Sequence, residues 1–451
     1  MLSTRRDFLK KFGAASAGLM LGGMGMSAQS YKRIIGSNDR VNVGIIGYSD
    51  RAKNSLIPGF LHHNKKLNFD IIGVSDIWNY RRELGQNNLA SLLSHDIRAY
   101  RNNEELYRDK DIDAVIISTA DFQHAMHTIE AAQSGKDAYV EKPFAETMDD
   151  NRRALAAVKQ AGIIVQIGSQ RRSGPNYHAA NDYIRSGKFG DIVMCEMSWN
   201  VNQPDRWRRP ELIDKCREED VDWLRFLVNR PYEDFDPRKY LEYRLFWPYS
   251  SGIPGQWMAH QIDTVHWFTG LNYPRSVVAN GGIYMWKDGR SNVDTLTAVM
   301  EYGPEEDLTS GFQVQYTSRF SNAAGGTKEI YYSNGGELNL DTNKVTSNGY
   351  LKEKNAAKMG MKENKLDEFT LATNQKAAAE ANTGSDPLTS AHMLNWMECV
   401  RSRKQPNAPV EAGYNHSVAC IMVNAAIRTR EFTIFDPRRQ EVLSGGKVFT
   451  Y

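Results

Sequence analysis

Two short segments of the chain carry side chains that can exchange protons. Residues 138–147 read AYVEKPFAET, in which a short apolar strand ends in Glu141, Lys142 and Pro143. A residue before proline is kept out of the helical region, so Lys142 is expected in an extended or turn conformation at the strand end. A lysine there can accept a proton once burial lowers its pKa. The alternative interpretation is an exposed Glu-Lys pair, and the surrounding sequence decides between the two.

The second segment is QWMAHQIDTVHWF, residues 256–268. In a helix of about 3.6 residues per turn, Gln256, His260, Asp263 and Trp267 fall on one narrow face. A solvated face would normally carry Lys, Arg or Glu, and this face has none, so we expect it to line a cavity. Asp263 lies one turn from His260 and is expected to orient its imidazole ring. Gln256 can bond a substrate hydroxyl.

Length and composition limit what the chain can be. It has 451 residues, 41% of them hydrophobic and 24% charged, which favours two packed domains. The formal net charge of +2 gives no basic field for nucleic acid. Its four cysteines are far apart and show no metal-ligand spacing, so we predict neither a disulfide framework nor a metal site.

The first part of the chain predicts a nucleotide-binding fold. The apolar strand Val41–Ile46 is followed by a glycine turn and a helical segment, the context that a dinucleotide fingerprint needs. Gly47 fills the first fingerprint position, while Ser49 stands at the second, where a glycine normally lets the backbone approach the pyrophosphate. Asp76 follows the next strand and favours NAD over NADP, because its charge would repel a 2′-phosphate. Strands and helices then alternate to residue 167, which is typical of a doubly wound parallel sheet.

The second part of the chain has a different pattern. Residues 200–247 are rich in aromatic side chains and arginines, which suits a carbohydrate with its apolar faces and many hydroxyls. Residues 274–340 contain four segments that alternate apolar and polar side chains between glycine-containing turns. They are predicted to form an antiparallel sheet.

The amino terminus is typical of an export signal. Arg5 and Arg6, followed by Phe-Leu-Lys, precede a Gly/Ala/Met/Leu run that ends in small residues near Ala28. The pair of arginines resembles a twin-arginine signal, so residues 1–30 are expected to be removed. The run is short and glycine-rich for a membrane span. We therefore expect a periplasmic or secreted protein that has no membrane association after the signal is removed.

Taken together, these features resemble the Gfo/Idh/MocA oxidoreductases, the family of glucose–fructose oxidoreductase and inositol dehydrogenase. The resemblance rests on VGIIG at 43–47, Asp76, STADFQHA at 118–125, the Glu141-Lys142-Pro143 step and the His260 segment. It implies an α/β protein with an N-terminal Rossmann domain, a doubly wound parallel sheet, over residues 40–165. A C-terminal α/β substrate domain with a largely antiparallel sheet would span residues 166–451. Homo-oligomers are common in the family.

The resemblance also implies roles for individual residues. Lys142 and His260 would be catalytic, and we prefer His260 as the base because its ordinary pKa lies near neutrality. Gln256 stands where inositol dehydrogenase-like members have aspartate. The substrate is expected to contact Gln256, Asp263, Arg171, Trp199 and Arg244. The NAD cofactor is expected to contact Gly47, Ser49, Asp50, Arg51, Asp76, Thr119, Asp121, His124, Glu141 and Lys142.

The resulting hypothesis is hydride transfer between a tightly bound NAD and a secondary hydroxyl of a sugar, polyol or glycoside. One alternative is an NAD-dependent glycoside hydrolase that works by transient oxidation, elimination and re-reduction. A second alternative is a non-catalytic sugar-binding protein on the same scaffold, because Ser49 and Gln256 each replace a motif residue. The expected partner is a small carbohydrate, with no nucleic acid.

Overall fold

The computed structural model describes residues 40–371 and 386–450. The expected signal segment, residues 1–30, lies outside the described residues. No helix within the described ranges is both long enough and apolar enough to cross a membrane. In the same ranges, no group of three or more His, Cys, Asp or Glu side chains could hold a metal ion.

The amino-terminal part forms a parallel sheet of six strands within the described residues, in the order β3-β2-β1-β4-β5-β6. This is the strand order of a dinucleotide-binding fold, in which the order reverses between β1 and β4. Strands β1, β2, β4 and β5 are almost continuously buried because helices cover both faces. The predicted Rossmann architecture is confirmed. The strands are β1 Val41–Ile46, β2 Phe69–Ser75, β3 Arg98–Tyr100, β4 Ala114–Ile117, β5 Asp137–Val140 and β6 Val165–Ile167.

The remaining strands form a sheet of eleven strands within the described residues, antiparallel except where β7 pairs with β10. Its strands alternate buried and exposed side chains, as in β9 and β10, because one face packs on helices. The predicted largely antiparallel second sheet is also confirmed. The strands are β7 Ile192–Asn200, β8 Ser276–Gly282, β9 Thr295–Tyr302, β10 Phe312–Arg319, β11 Thr327–Ser333, β12 Gly336–Asn339, β13 Lys344–Thr346, β14 Phe369–Thr370, β15 Thr433–Asp436, β16 Glu441–Ser444 and β17 Lys447–Val448.

The helices connect and cover these sheets. The α-helices are α1 Ile57–Leu61, α2 Asn64–Leu67, α3 Asn79–Leu93, α4 Asn103–Arg108, α5 His124–Gln133, α6 Met148–Ala161, α7 Pro175–Arg185, α8 Pro210–Ile213, α9 Trp223–Leu227, α10 Pro237–Leu241, α11 Ala259–Thr269, α12 Glu353–Lys358, α13 Pro387–Ser402 and α14 Val410–Thr429. Two π-helical turns, Ala52–Leu56 and Pro254–Met258, precede α1 and α11.

One helix from the carboxyl-terminal part packs on the amino-terminal sheet. Helix α13 begins where Asp386 caps it, with the Asp386 side chain accepting from the N–H of Thr389, and Pro387 fills the first helical position. Its residue Trp396 is fully buried against Phe69 and Tyr139 of the parallel sheet. Residues far along the chain therefore complete the core of the Rossmann domain.

The segment between β7 and α11 reaches back across the same domain. The amide of Asp222 donates to the carbonyl of Ile77, and Gln123 donates to the carbonyl of Phe226. Arg230 forms a buried ion pair with Asp150 of α6. The aromatic and arginine-rich segment thus lies over the carboxyl ends of the parallel strands, where ligands bind in open α/β sheets.

We expect Trp396→Ala to destabilise the Rossmann domain by about 3–5 kcal/mol, because it removes a large fully buried side chain and leaves a cavity. Trp396→Phe should cost clearly less, since the indole N–H makes no hydrogen bond to any described residue. Urea denaturation would measure both free energies of unfolding. Leu92→Ala, at a side chain that is 59% exposed, serves as the control. Equal, small effects of all three changes would contradict the packing of α13 on the sheet.

Candidate active site

The glycine turn after β1 has no room for a larger residue. Gly47 has a positive φ of 83°. A Cβ added there would lie 2.9 Å from the carbonyl oxygen of Ser118 and 2.9 Å from Cγ2 of Thr119. The turn therefore requires glycine, which lets β1 approach the turn after β4 closely.

Ser49 occupies the second fingerprint position and bonds locally. Its hydroxyl lies 2.7 Å from that of Ser118 and accepts from the N–H of Ala52. The serine thus joins the turn after β1 to the turn after β4 and bonds the first residue of the π-helical turn that follows. Its side chain also lines the cavities described below.

Asp76 joins the ends of the first two strands. One carboxylate oxygen accepts from the N–H of Tyr48 and the other from the N–H of Trp78, each at 2.9 Å. Burial raises the pKa of Asp76, while these two hydrogen bonds act in the opposite direction. The carboxylate lines a cavity at the end of β2, which is the place of the ribose-binding acid in a dinucleotide fold.

An outer cavity of about 290 Å³ lies over the carboxyl ends of β1, β2 and β4. The predicted cofactor residues Gly47, Ser49, Asp50, Arg51, Asp76 and Thr119 all line it. Its opposite wall comes from the aromatic segment between β7 and α11. Arg209 of that segment pairs with Asp50 at 3.1 Å, and Arg81 bonds the other oxygen of Asp50 at 2.9 Å. The residues of this segment that line the wall include Trp207, Arg209, Arg225, Phe226, Tyr240, Tyr243 and Arg244.

An inner cavity of about 50 Å³ adjoins the outer one, because Ser49, Arg51, Ser118, Thr119 and Arg244 line both. The structure brings together the two residues predicted to be catalytic in this inner cavity. Its other lining residues are His124, Glu141, Lys142, Gln170, Trp199, Arg206, Gln256, Trp257 and His260.

Lys142 is held across the two domains. Its Nζ donates to the carbonyl oxygen of Gln256 at 2.7 Å. Burial lowers the pKa of Lys142 to about 8, although the charges of Glu141 and Asp121 act to raise it. The Gln256 carbonyl belongs to the π-helical turn Pro254–Met258, and such turns are frequent at functional sites. About a tenth of the lysine would be neutral at pH 7.

His260 is neutral across the physiological range. Burial lowers its pKa well below the usual value, and the positive charges of Lys142 and Arg171 add to the effect. The ring lies 6.0 Å from that of Trp199, centroid to centroid. A base works best when its pKa lies near the operating pH. The preference for His260 as base is therefore revised: Lys142 fits that role better, and His260 fits the role of a neutral hydrogen-bonding group.

Glu141 provides a fixed negative charge beside Lys142. Although burial acts to raise its pKa, the charges of Arg51 and Lys142 lower it, so the carboxylate stays ionised. It pairs with Arg51 at 2.9 Å, and Arg51 also donates to the hydroxyl of Thr389 at the start of α13. Through Arg51, Glu141 thus links the turn after β5 to the turn after β1 and to the start of α13.

Two further predicted cofactor residues have structural partners. Asp121 lines neither cavity: it accepts from the hydroxyl of Ser250 at 2.6 Å and from the side-chain amide of Gln256 at 2.5 Å. His124 lines the inner cavity, but its ring nitrogens face the carbonyl oxygens of Pro143 and Thr119. In this structure Asp121 therefore lies behind Gln256 and positions it, in place of the expected cofactor contact.

Gln256 and Arg244, both predicted to contact substrate, lie side by side. Arg244 Nε donates to the side-chain oxygen of Gln256 at 2.9 Å and lies 4.0 Å from a carboxylate oxygen of Asp121. Trp199 also lines the inner cavity and stacks on Trp257 with ring centroids 5.7 Å apart. These three predicted substrate residues are brought together.

The other two predicted substrate residues line neither cavity. Asp263 forms two hydrogen bonds, at 2.8 and 3.0 Å, with the guanidinium group of Arg172, and it does not orient His260. Arg171 pairs with Glu329 of β11. A buried carboxylate needs a counter-charge, and each of these ion pairs supplies one. The expected cavity position of Asp263 is corrected because the helical-wheel argument could not include an arginine from another part of the chain.

Four residues at the inner cavity were not predicted as site residues. Ser118, Gln170, Arg206 and Trp257 line it. Arg206 begins the RWRR run of the aromatic segment, so its charge was visible in the sequence. Trp257 lies in the π-helical turn Pro254–Met258, where a helical wheel, which assumes a regular α-helical turn, does not apply.

Comparisons with known proteins agree with the observed Rossmann fold. Residues 41–169 match the model of the GFO_IDH_MocA family, described as an oxidoreductase family with an NAD-binding Rossmann fold. The inositol 2-dehydrogenase of Salmonella paratyphi B is 25% identical over 53% of this chain and 66% of its own length. A glycosyl hydrolase family 109 protein of Shewanella baltica is 28% identical over 47% of this chain and 48% of its own length. The chain thus spans less than two thirds of each of these curated relatives.

A solved structure shares the fold of most of the chain. The WlbA dehydrogenase of Bordetella pertussis, solved with NADH and UDP-GlcNAcA, has a TM-score of 0.62 and 16% identity. The match covers 88% of this chain and 99% of that one. At this identity the match shows the fold alone, and it extends the likeness beyond residue 169 into the second sheet.

We expect Glu146→Gln to protect the protein against alkaline destabilisation. Burial raises the pKa of Glu146 to about 8, and the negative charge of Asp121 adds to this. The folded protein therefore holds a proton that the unfolded chain loses near 4.5, the ordinary pKa of a glutamate side chain. The free energy of unfolding then falls as the pH rises from about 4.5 to 8 and stays low above it, whereas glutamine does not ionise.

Urea denaturation near pH 5 and near pH 9 would measure this difference. The variant should gain on the wild type only at the higher pH. Glu83→Gln, at an exposed position, is the matched control and should behave alike at both. A Glu146→Gln effect that does not change with pH would show that the carboxyl group is already ionised in the folded protein.

Proposed function

We propose that the protein is an NAD-dependent oxidoreductase acting on a carbohydrate, and the match of residues 41–169 to the model of the GFO_IDH_MocA family, with its NAD-binding Rossmann fold, supports this. Its hydride would pass between the cofactor and a secondary hydroxyl carbon of a sugar, polyol or glycoside. The observation that carries the proposal is the convergence of Lys142 and His260 on one small cavity beside the outer one.

The residues of the outer cavity fit a dinucleotide. The turn at Gly47 is too close to Ser118 for a side chain, as a pyrophosphate-binding turn requires. Asp76 offers a carboxylate at the end of β2 for the hydroxyls of a ribose, which supports NAD as the cofactor. When bound, the nicotinamide ring supplies the hydride acceptor.

The protein groups then handle the proton. Oxidation of a secondary alcohol takes a hydride from carbon and a proton from the hydroxyl group. Lys142 in its neutral form accepts that proton on Nζ, and its pKa of about 8 makes this form accessible near neutral pH. His260 stays neutral and bonds the same oxygen, while the stacked Trp199 and Trp257 present an apolar wall to a sugar ring.

Glycoside hydrolysis by transient oxidation is the second candidate. The glycosyl hydrolase family 109 relative supports it. The same proton acceptor would serve, because oxidation of a ring carbon comes first in both schemes. A hydrolase would release the aglycone without net formation of NADH and would exchange a carbon-bound hydrogen with solvent.

Export and assembly are part of the proposal. Arg5 and Arg6 with the following apolar run support export by the twin-arginine route, which carries folded proteins. A cofactor loaded before export would have to be retained, and the aromatic segment over the outer cavity supports such retention. A homo-oligomer is supported by the open face of the second sheet, where Val193, Val278 and Ile434 are exposed.

We expect Lys142→Met to lower kcat/KM for oxidation of the sugar substrate by roughly 10²–10⁴-fold, the usual contribution of a positioned base. In the wild type, kcat/KM should rise with pH and level off above an apparent pKa near 8, since only the neutral lysine accepts a proton. His260→Asn should lower kcat/KM, which should still rise with pH and level off above the same apparent pKa. Reduced-nicotinamide absorbance follows the reaction, and NAD⁺ titration checks that each variant still binds cofactor. If kcat/KM of Lys142→Met still rose with pH and levelled off near pH 8 as in the wild type, the base would be another group.

The bound nucleotide and the fate of substrate hydrogen separate the candidate functions. We expect denatured, natively purified protein to release NAD⁺ or NADH. Glycosides and polyols incubated with the protein in deuterated water should yield a ketone and NADH if it is a dehydrogenase. Release of aglycone with deuterium at a ring carbon would favour the hydrolase. Absence of any nucleotide, with no binding on titration, would favour a non-catalytic sugar-binding protein.

A further inference from the structure

The inner cavity carries an excess of positive charge. The side chains of Arg51, Lys142, Arg206 and Arg244 line it, against the single carboxylate of Glu141 among its lining residues. Arg51 is paired with that carboxylate at 2.9 Å. A neutral sugar and a hydride-transfer site need no such excess, so a further ligand charge would be the natural complement.

Lys142 and Arg244 both donate hydrogen bonds to the same residue where the two domains meet. Lys142 donates to the carbonyl of Gln256, and Arg244 donates to the side-chain oxygen of the same residue. Arg244 also lies 4.0 Å from Asp121, which therefore balances part of its charge from behind the cavity wall. Arg244 lines both cavities.

Arg206 contacts two neutral side chains in the cavity wall. Its guanidinium lies over the ring of Trp257, 5.7 Å from the centroid, and donates to the side-chain oxygen of Gln203 at 3.0 Å. Burial lowers its pKa to about 10, and the positive charges of Arg244 and Arg209 contribute to the lowering. A cation in this position is stabilised when an anion binds beside it.

The cofactor phosphates do not account for Arg206. A pyrophosphate lies at the glycine turn and helix start after β1, which is in the outer cavity. Trp207 and Arg209 line that outer cavity, whereas Arg206 lines only the inner one. Trp207 has a positive φ of 66°, which is unusual for a bulky residue and marks a sharp local change of chain direction between these arginines.

We propose that the substrate carries an anionic group, and that Arg206 together with Arg244 binds that group in the inner cavity. A carboxylate, as in a hexuronate, fits the planar fork of a guanidinium with two parallel hydrogen bonds; a sulfate or phosphate ester offers the same chemistry. Trp199, which lines the same cavity, would meet the apolar face of the sugar. This inference rests on the proposed function for the identity of the inner cavity as the substrate site.

Isothermal titration with the NAD⁺-loaded protein tests the inference on matched ligands. The ligands are a set of epimeric hexuronates, the corresponding neutral hexuronamides, and hexose 6-sulfates and 6-phosphates with their parent hexoses. We expect at least one anionic sugar to bind about tenfold or more tightly than its neutral counterpart, and the preferred anion identifies the group. Equal affinity of every charged and neutral pair, or no binding of any anionic sugar, would overturn the inference without the need for a variant.

Variants then assign the charge recognition to Arg206. Arg206→Gln should bring the ratio of anionic to neutral affinity close to one and leave the NAD⁺ affinity unchanged, while Arg206→Lys should keep part of the preference. Arg153→Gln, at a half-exposed arginine of α6, is the control and should keep the full ratio. A fall in NAD⁺ affinity in Arg206→Gln, or an unchanged ratio, would contradict the assignment.

Failure of this inference and failure of the proposed function give different results. Binding of uronates through Arg206 without hydride transfer to NAD⁺ would refute the proposed function and leave the anion site in place. Formation of NADH from neutral sugars alone, with no anion preference, would refute the anion site and support the oxidoreductase.

Discussion

The hydrogen bond from the Lys142 ammonium group to the carbonyl oxygen of Gln256 joins the two domains at the inner cavity. Lys142 comes from the end of a parallel strand, and Gln256 from the π-helical turn that begins the helix carrying His260. Because the lysine has a backbone partner in the other domain, its position depends on how the two sheets meet. The placement of the lysine beside His260 depends on that contact. Burial at the same place lowers the pKa of the lysine.

The charges around this contact stabilise the buried ammonium group of Lys142. Burial alone would make the ammonium unstable, and the carboxylates of Glu141 and Asp121 offset part of that cost. Glu141 is in turn held ionised by Arg51, and Asp121 is fixed by Ser250 and Gln256. His260 remains neutral beside the lysine, so the pair carries one positive charge at most near neutral pH. Lys142 is therefore suited to exchange a proton with the substrate, and His260 is suited to form a hydrogen bond without changing its charge.

The sequence predicts whatever depends on local pattern. Buried strands, the glycine turn at Gly47, the acid at Asp76 and the alternating strands of the second sheet are all periodic or positional signals, and they appear where expected. What it could not predict depends on partners distant in the chain. Asp263 pairs with Arg172, Arg171 pairs with Glu329, and Asp121 supports Gln256. These three polar residues, expected at the site from the helical wheel or from the family resemblance, therefore have structural partners. Arg206 and Trp257 were not expected at the site and line the inner cavity. A sharp bend at Trp207 follows Arg206, and Trp257 lies in a π-helical turn.

The most direct test of this account is a crystal structure with NAD⁺ bound. We predict that the nicotinamide ring enters the inner cavity, with its C4 atom facing a space bounded by Lys142 and His260, and that the pyrophosphate lies at the turn of Gly47. A nicotinamide ring that lies outside the inner cavity, with Lys142 and His260 both out of contact with the space in front of C4, would contradict it.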